Sequence, residues 1–347
     1  MTIPFARGGH AVMTRARVWL VAAAVALLPL AAPADTDAPI ALDAKPVPLS
    51  DNVPIGARTG RIRFLGMLAL PRATMHGLRF SQLSDLAWDE DDGILYALSD
   101  KGALFHLRPV FGDGVLVDIK LLRAVPLREL DSGEPLKRRR ADSEGMDIVR
   151  GHNGRPNDAE LIVSFERFPR IMRYRPDGRA LVEYPLPPPL ADRKAYQEEN
   201  LMLEAVCVDP LLGILTMPEA RLKSEQRGFN RIYSLSGRSW LYPVEDDNRV
   251  VSMACLGNGE VLVLERDYGR LLWRALVALK RVRLSEANAG KALAAERVVK
   301  LDSRDGFQID NFEGITRHRG NRFFIVSDDN DLFIQRTLLM YFELLDP

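Results

Sequence analysis

The chain has 347 residues, of which 47% are hydrophobic and 27% are charged, enough apolar material for one large core or two modest ones. This composition excludes a disordered, collagenous or coiled-coil protein. Basic and acidic residues number 47 each, so no overall positive charge is available for a nucleic-acid partner. Two cysteines and five histidines are too few for a disulfide framework or a zinc finger.

The first segment predicts export. Three arginines and no acidic residue accompany the apolar run Val18–Leu30, which ends in the small residues Ala32-Pro33-Ala34. This pattern is typical of a secretory signal peptide over residues 1–34, whose start is Met1 or Met13. The run has about 13 residues, fewer than the roughly 20 that a membrane-spanning helix needs. We therefore expect a periplasmic or secreted protein without a membrane span once the signal peptide has been cleaved.

Residues 35–60 follow the signal peptide and are rich in Pro, Asp and Ala without periodicity. Such a composition indicates a leader or linker, and we predict no fold for it. The folded domain is expected to occupy residues 61–347.

From residue 61 onward, one short pattern recurs five times. Each unit opens with a carboxylate or small polar residue at the start of an alternating strand, and it closes with a carboxylate after a second, apolar strand. The closing residues lie 46 to 66 positions apart, a spacing that suits the blades of a β-propeller. The opening residues are Asp85, Glu144, Glu204, Ser252 and Glu313, and the closing residues are Asp100, Glu166, Glu219, Glu265 and Asp328.

Two further strand-like stretches follow each core pair, for example Arg170–Tyr174 and Ala180–Tyr184. Four strands per unit predict an all-β propeller of five blades, with six blades as the alternative count. An all-β sandwich is the alternative architecture, because its strands also alternate. The last unit has room for one long strand only, so we expect the stretch Arg61–Leu70 to supply its outer strand and close the ring.

Two other stretches bear on the fold. The Ala-rich segment Ser285–Val299 is the best candidate for a helix. Cys207 and Cys255 occupy the same register in neighbouring units, and export would permit their oxidation. Because neighbouring inner strands diverge in a propeller and a disulfide needs close Cα atoms, we expect free buried thiols.

The repeated carboxylates predict a functional site. The first strand of a blade lines the central channel and the second runs antiparallel to it, so opening and closing residues reach the same face. Like charges at close quarters raise one another's pKa, so a counter-charge is required. Ca²⁺ is one candidate, because it accepts six to eight oxygen ligands. The second candidate counter-charge is the set of cationic side chains beside the closing residues. The alternative to a functional site is that these charges form ordinary salt bridges on the rim.

From these positions we predict a calcium-dependent phosphoric-ester hydrolase. A water activated by the cation would attack phosphorus while a carboxylate acts as the base. A small-molecule ester is the expected partner, and the protein is expected to be a monomer. The predicted metal ligands are Asp85, Glu144, Glu204, Glu313 and Asp328, the predicted phosphate-binding residues are Lys101, Arg167, Arg221 and Arg266, and the predicted catalytic residues are Glu265 and Glu166.

Several stretches also resemble one family. These are Leu83–Leu86, Tyr96–Gly102, Asp142–Met146, Glu265–Asp267, Asn311–Ile315 and Val326–Asn330. They are similar, in order and in spacing, to the exported proteins called the esterase-like phytase family, and the similarity covers residue 61 to the carboxyl end. The resemblance implies a propeller that hydrolyses phosphate esters or simple esters, with calcium implied by analogy to propeller phytases. Ser252 departs from the repeat, where an acid would be expected.

Two other functions remain open. Acidic pairs at a propeller centre also suit glycoside hydrolysis, although Trp88, Trp240 and Trp273 are expected to be buried or on outer strands instead of at the channel mouth. A calcium-stabilised binding propeller without catalysis is the second alternative, because the fold itself implies no activity. A serine hydrolase is disfavoured, since the sequence has no Gly-x-Ser-x-Gly turn.

Overall fold

The structure describes Met1 and residues 39–245, 248–268 and 275–346. All of these except Met1 belong to one unit, Asp37–Pro347. The predicted signal peptide, apart from Met1, lies outside the described residues, and so does Trp273. None of the helices in the described ranges is long and apolar enough to cross a membrane.

In the computed structural model, antiparallel strands form five sheets arranged as blades in a ring. Six strands precede the first complete blade: β1 (Ile40–Ala41), β2 (Lys45–Pro46), β3 (Arg58–Thr59), β4 (Ile62–Leu70), β5 (Ala73–Met75) and β6 (Leu78–Phe80). Blade 1 contains β7 (Leu83–Asp89), β8 (Ile94–Ser99), β9 (Ala103–Gly112) and β10 (Val115–Pro126). Blade 2 contains β11 (Ser143–Val149), β12 (Glu160–Phe165), β13 (Arg170–Tyr174) and β14 (Ala180–Tyr184).

The remaining blades follow the same order. Blade 3 contains β15 (Leu203–Asp209), β16 (Gly213–Pro218), β17 (Phe229–Ser234) and β18 (Ser239–Pro243). Blade 4 contains β19 (Arg249–Gly257), β20 (Glu260–Tyr268), β21 (Ala275–Arg283) and β22 (Ala295–Asp302). Blade 5 contains β23 (Phe312–Arg317), β24 (Arg322–Ser327), β25 (Thr337–Leu344) and β4. Helices are short: α1 (Pro188–Ala191) and the 3-10 turns Arg138–Arg140, Arg193–Ala195, Glu286–Asn288 and Ser303–Asp305.

The predicted five blades and the predicted closure of the ring are both confirmed. Strand β4 pairs along β25, from Leu70 opposite Thr337 to Ile62 opposite Leu344. The two ends of the propeller domain thus share one blade, which leaves no open edge between its first and last units.

The segment interpreted above as a linker lies on the propeller. Strand β1 extends the outer edge of blade 1 by pairing with β10, while β2 and β3 pair with β4 of blade 5. Leu42 and Leu49 of this segment are buried in two different clusters of the core. Residues 39–60 therefore cover edge strands that would otherwise be exposed.

The core lies between neighbouring blades. Leu98 and Leu104 of blade 1, for example, share a buried cluster with Val163, Phe165 and Tyr174 of blade 2. Strand β12 is buried on both of its faces, so its side chains contact a blade on each side. Such double burial explains why the second strand of each unit is almost wholly apolar in sequence.

The helix predicted over Ser285–Val299 is wrong. One 3-10 turn, capped by the Ser285 and Asn288 side chains, begins the segment. Strand β22 follows and completes blade 4, with Val298, Val299 and Leu301 buried. The need to cover β21 outweighs the weak helix preference of the alanines.

The prediction of free thiols is also wrong. Cys207 in β15 and Cys255 in β19 form a disulfide, and their Cα atoms are 5.6 Å apart. Both strands are the innermost of their blades and line a narrow channel, so they pass close together before the blades diverge outward. The bond joins blade 3 to blade 4.

Candidate functional site

A β-bulge near the start of every innermost strand positions the site. In blade 3, Leu203 lies opposite Pro218 and Ala205 lies opposite Met217, so Glu204 is an extra, unpaired residue. Glu313 occupies the same position in blade 5, and Glu144 lies within the corresponding bulge of blade 2. A bulge bends the strand and redirects the extra side chain. These three glutamates therefore turn toward the channel mouth.

The closing carboxylates follow directly after the second strands. Glu166 comes after β12, Glu219 after β16 and Asp328 after β24. Because the second strand runs antiparallel to the first, its end lies beside the bulge of the same blade. The opening and closing residues of blades 2, 3 and 5 consequently meet.

Together these residues line a cavity of about 150 Å³, called the acidic cavity below. It contains seven of the nine carboxylates expected at the channel mouth, together with Asp142, which the sequence placed in a motif but not in the site. Arg167 and Arg266 are its cationic residues. The full lining is Asp100, Asp142, Glu144, Glu166, Arg167, Asn200, Glu204, Glu219, Arg266, Glu313, Asp328 and Asn330.

Asp85 does not line the acidic cavity, because it is one residue out of register with the glutamates. Ser84 is the extra residue of the blade 1 bulge. The positions equivalent to Asp85 in blades 2 to 5 are therefore Gly145, Ala205, Ser252 and Gly314. Its fully buried carboxylate accepts hydrogen bonds from the Met146, Ile315 and Leu86 amides and from the Ser252 hydroxyl.

Glu265 is likewise displaced by one position. It lies opposite Val250 within β20, so the residue equivalent to Glu166 and Glu219 in blade 4 is Arg266. The buried Glu265 carboxylate accepts hydrogen bonds from Tyr242 Oη and Asn248 Nδ2. Its Oε1 lies 2.9 Å from Lys280 Nζ.

The predicted phosphate-binding residues are divided. Arg167 and Arg266 line the acidic cavity, and Arg167 Nε lies 2.8 Å from Asp142 Oδ2. Lys101 is on the rim, where its largely exposed side chain pairs with Asp100 at 2.8 Å. Arg221 lines a neighbouring pocket and donates to the Glu225 carbonyl.

Contacts with Asn311, Glu313 and Glu219 hold Arg266 within the cluster. Its guanidinium donates to Asn311 Oδ1 at 2.8 Å, lies 3.1 Å from Glu313 Oε1 and lies 3.4 Å from Glu219 Oε1. Burial lowers its pKa, but the carboxylates of Glu313 and Glu219 outweigh that effect, so the net shift is upward. The guanidinium is thus a fixed positive charge.

Burial and mutual repulsion raise the pKa values of several of the cavity carboxyls. Burial is the largest cause in each case. It acts together with Glu219 and Asp142 on Glu166, whose pKa is about 8, and with Glu313 on Asp328, whose pKa is about 9. The pKa of Glu219 is about 7, because Arg266 offsets part of the rise. Burial raises the pKa values of Glu144 and Glu204 well above the ordinary range.

Two overlapping groups in the cavity have the spacing of a cation site. One consists of Asp142, Glu144 and Glu166, and the other of Glu166, Glu204 and Glu219, with one ligand oxygen per residue and all oxygens of a group within 4.8 Å of one another. No donor from the described residues pairs with the Glu144 or Glu204 side chain. Oxygen-rich donor sets without Cys or His fit Ca²⁺.

Asp100 also lines this cavity. Asp100 Oδ2 accepts hydrogen bonds from Gln82 Nε2 and Lys101 Nζ. Asp100 Oδ1 is buried and has no hydrogen-bond partner within the described ranges. Trp88 and Trp240 do not line the cavity, and Trp273 lies outside the described residues.

Comparison with known proteins identifies a family for most of the chain. The family model described as phytase-like, with esterase-like activity of phytase, matches residues 78–331. No curated protein matches the chain. Among solved structures, the chain is similar to U3-55K (9% identity, 79% of this chain and 98% of that chain, TM-score 0.38).

Two fungal propellers score similarly. They are the Myceliophteria thermophila Cps50 (Swd1) beta-propeller domain (10% identity, 88% of this chain and 99% of that chain, TM-score 0.37) and the Neurospora crassa Pan2 WD40 domain (11% identity, 85% and 98%, TM-score 0.37). At such low identities and scores, these structures carry no argument about function.

Proposed function

The chain belongs to the phytase-like family, and from this premise we propose that it is an exported, calcium-dependent hydrolase of small phosphate esters. The observation that carries the proposal is the charge imbalance of the acidic cavity. Eight carboxylates line it with two arginines, and two buried or half-buried glutamates there have no donor. Such a set is stable at neutral pH only with bound protons or a bound cation.

We propose that the cation is held by Asp142, Glu144, Glu166, Glu204 and Glu219. Glu166 belongs to both groups of oxygens, so it serves as the shared ligand instead of the catalytic residue predicted from sequence. Glu313 and Asp328 lie in the same cavity and complete the set of available ligands. When bound, calcium supplies positive charge that neutralises the carboxylates and polarises a phosphoryl oxygen.

On the substrate side, Arg266 and Arg167 orient the phosphate. A guanidinium can donate two parallel hydrogen bonds to phosphate oxygens, and the contacts of Arg266 with Asn311 and Glu313 fix its plane. Arg167 is the more exposed of the two, so it can meet the substrate at the cavity entrance. Lys101 and Arg221 lie farther from the centre of the cavity, and we assign them to attracting the substrate as it approaches.

Asp100 takes the proton from the attacking water. Asp100 lines the acidic cavity, and Lys101 and Gln82 hold its Oδ2. Its buried Oδ1 has no hydrogen-bond partner within the described ranges and is the atom that we assign to accept the proton. Glu265, which was predicted as the base, is bound by Tyr242 of blade 3, by Asn248 and by Lys280 of blade 4, so we assign it a structural role.

The test uses the purified mature chain with p-nitrophenyl phosphate, phytate, p-nitrophenyl acetate and an arylglycoside, each with calcium and with EDTA. We expect hydrolysis of a phosphate ester that EDTA abolishes and calcium restores. Asp100→Asn should lower kcat by at least 100-fold, the usual contribution of a general base. Asp131→Asn, an exposed carboxylate outside the cavity, is the matched control.

Three results would contradict the proposal. Phosphate esters that stay intact in the presence of calcium would refute the hydrolase. Activity indifferent to EDTA would refute the metal. Full activity of Asp100→Asn would refute the assigned base.

A further inference from the structure

A turn beside the acidic cavity presents three consecutive apolar side chains to solvent. Leu332 is 49% exposed, Phe333 is 93% exposed and Ile334 is 54% exposed. We call this segment, Leu332–Ile334, the apolar lip. Asp328 and Asn330, only a few residues earlier in the same loop, line the acidic cavity. The lip and the cavity therefore share the face of the propeller on which the substrate must arrive.

The backbone of the apolar lip is held in place. Arg72 donates to the Leu332 carbonyl at 2.6 Å and to Asp329 Oδ2 at 2.8 Å. Arg79 donates to Asp331 Oδ2 at 2.9 Å. Arg72 directly precedes β5 and Arg79 lies within β6, so the hairpin of these two strands supports the loop. The exposure of the lip therefore belongs to a fixed turn, and exposed apolar side chains in a fixed turn do not stabilise the fold.

From this arrangement we propose that the apolar lip inserts into a lipid surface and presents the acidic cavity to phosphate esters of lipids. The lip is a convex tip and not a groove, and a nearly fully exposed Phe333 suits a fluid apolar phase. Three side chains on one turn provide far less than the roughly 800 Å² per partner of a stable protein interface. Phe and Leu are typical residues of membrane-interface contacts.

The cations near the lip fit the same partner. Arg72 and Arg79 have side-chain exposures of 32% and 53%, so they can meet phosphate headgroups while their aspartate partners hold them in position. The insertion of the lip stands on the geometry of the loop alone. The choice of lipid phosphate esters as substrates rests on the proposed function.

The experiment measures flotation with phosphatidylcholine vesicles that contain phosphatidic acid, in the presence of calcium. We compare the mature chain with a triple variant, Leu332→Ser, Phe333→Ser and Ile334→Ser. The control is Leu211→Ser, because Leu211 is 71% exposed in the turn between β15 and β16, at the opposite end of the innermost strand. The triple variant should bind vesicles at least tenfold more weakly, with an unchanged melting temperature and unchanged rates on p-nitrophenyl phosphate, while Leu211→Ser should bind like the parent.

The outcomes separate the two proposals. If the parent chain fails to float, or if the triple variant and Leu211→Ser float like the parent, the lipid surface is refuted whatever the hydrolytic activity. If the parent floats through its lip but hydrolyses neither phosphatidic acid nor p-nitrophenyl phosphate, the lip stands and the proposed function fails.

Discussion

Replacing Glu166 with Gln tests whether repulsion among the cavity carboxylates lowers the free energy of unfolding of the metal-free protein. The pKa of Glu166 is about 8 in the folded protein, against an ordinary value of 4.5. Between these two values the folded chain keeps a proton that the unfolded chain has lost. The free energy of unfolding of the metal-free protein therefore falls as the pH rises from about 4.5 to about 8.

The expected size follows from the same pair of values. Each pKa unit corresponds to about 1.4 kcal/mol, so Glu166 alone lowers the stability by about 2 kcal/mol between about pH 6.5 and about pH 9. Glu166→Gln lacks this titration. Removing the Glu166 charge also lowers the repulsion on Glu144 and Glu204. This second effect further stabilises the variant relative to the parent as the pH rises. In EDTA, the variant should thus become the more stable protein as the pH rises.

Calcium should reverse that order. At a concentration about 100-fold above its Kd, calcium stabilises the parent chain by about 2.7 kcal/mol. Glu166→Gln lacks the ligand shared by both oxygen groups, so it should gain much less. The stabilities are measured by urea unfolding, followed by intrinsic fluorescence, at each pH with EDTA or calcium. His106 and His318, whose pKa values burial lowers to about 4, contribute equally to both proteins and cancel.

Glu134→Gln, at an exposed glutamate that does not line the acidic cavity, is the control and should follow the parent curve. Parallel curves for Glu166→Gln and the parent in EDTA would refute the reasoning. So would a variant that gains as much stability from calcium as the parent does.

Three further substitutions test the framework around the site. The double variant Cys207→Ala, Cys255→Ala opens a loop with a sequence separation of 48 residues and should lower the free energy of unfolding by about 4 kcal/mol. Equal stability of this variant and the oxidised parent in urea unfolding would contradict a stabilising disulfide. Gly314→Ala places a Cβ atom 2.6 Å from Asp85 Cα and should lower the free energy of unfolding by about 1–3 kcal/mol. Gly112→Ala, whose Cβ meets the two Val117 methyl carbons at 3.4 and 3.9 Å, should be tolerated better; equal losses for the two variants would contradict this prediction. Asp85→Asn loses one acceptor oxygen for the buried amides of Met146 and Ile315 and should cost about 1–3 kcal/mol in the same assay, while unchanged stability would show that the carboxylate does not join the blades.

The sequence was sufficient for the blades and for the convergence of most carboxylates. Alternating strands and turn residues are local signals, and the antiparallel rule then places Glu144 and Glu166 at one end of their blade. The closing strand was also predictable, because the last unit visibly lacks an outer strand that Ile62–Leu70 can supply. Each of these inferences uses only strand order and direction.

Register was not predictable, because a bulge adds a residue without leaving a mark in the sequence. The repeat was aligned on its acids, whereas the ladder aligns Asp85 with Gly145 and Gly314. The same one-residue difference exchanges Glu265 for Arg266 in the ring. Asp142 was missed for a related reason: it lies just before β11, outside the opening position on which the repeat was defined.

The displaced register brings the Asp85 carboxylate into contact with the innermost strands of three other blades. Gly145, Ala205, Ser252 and Gly314 are small at the level where blade 1 carries Asp85, and a Cβ atom on Gly145 or Gly314 would clash there. The Asp85 carboxylate is bonded to blade 2 through Met146, to blade 4 through Ser252 and to blade 5 through Ile315. We expect a channel bridged in this way to admit ligands to the acidic cavity from one face. That face carries Asp100, Arg167 and the apolar lip, so substrate binding, proton transfer and any docking to a surface must share one direction of approach.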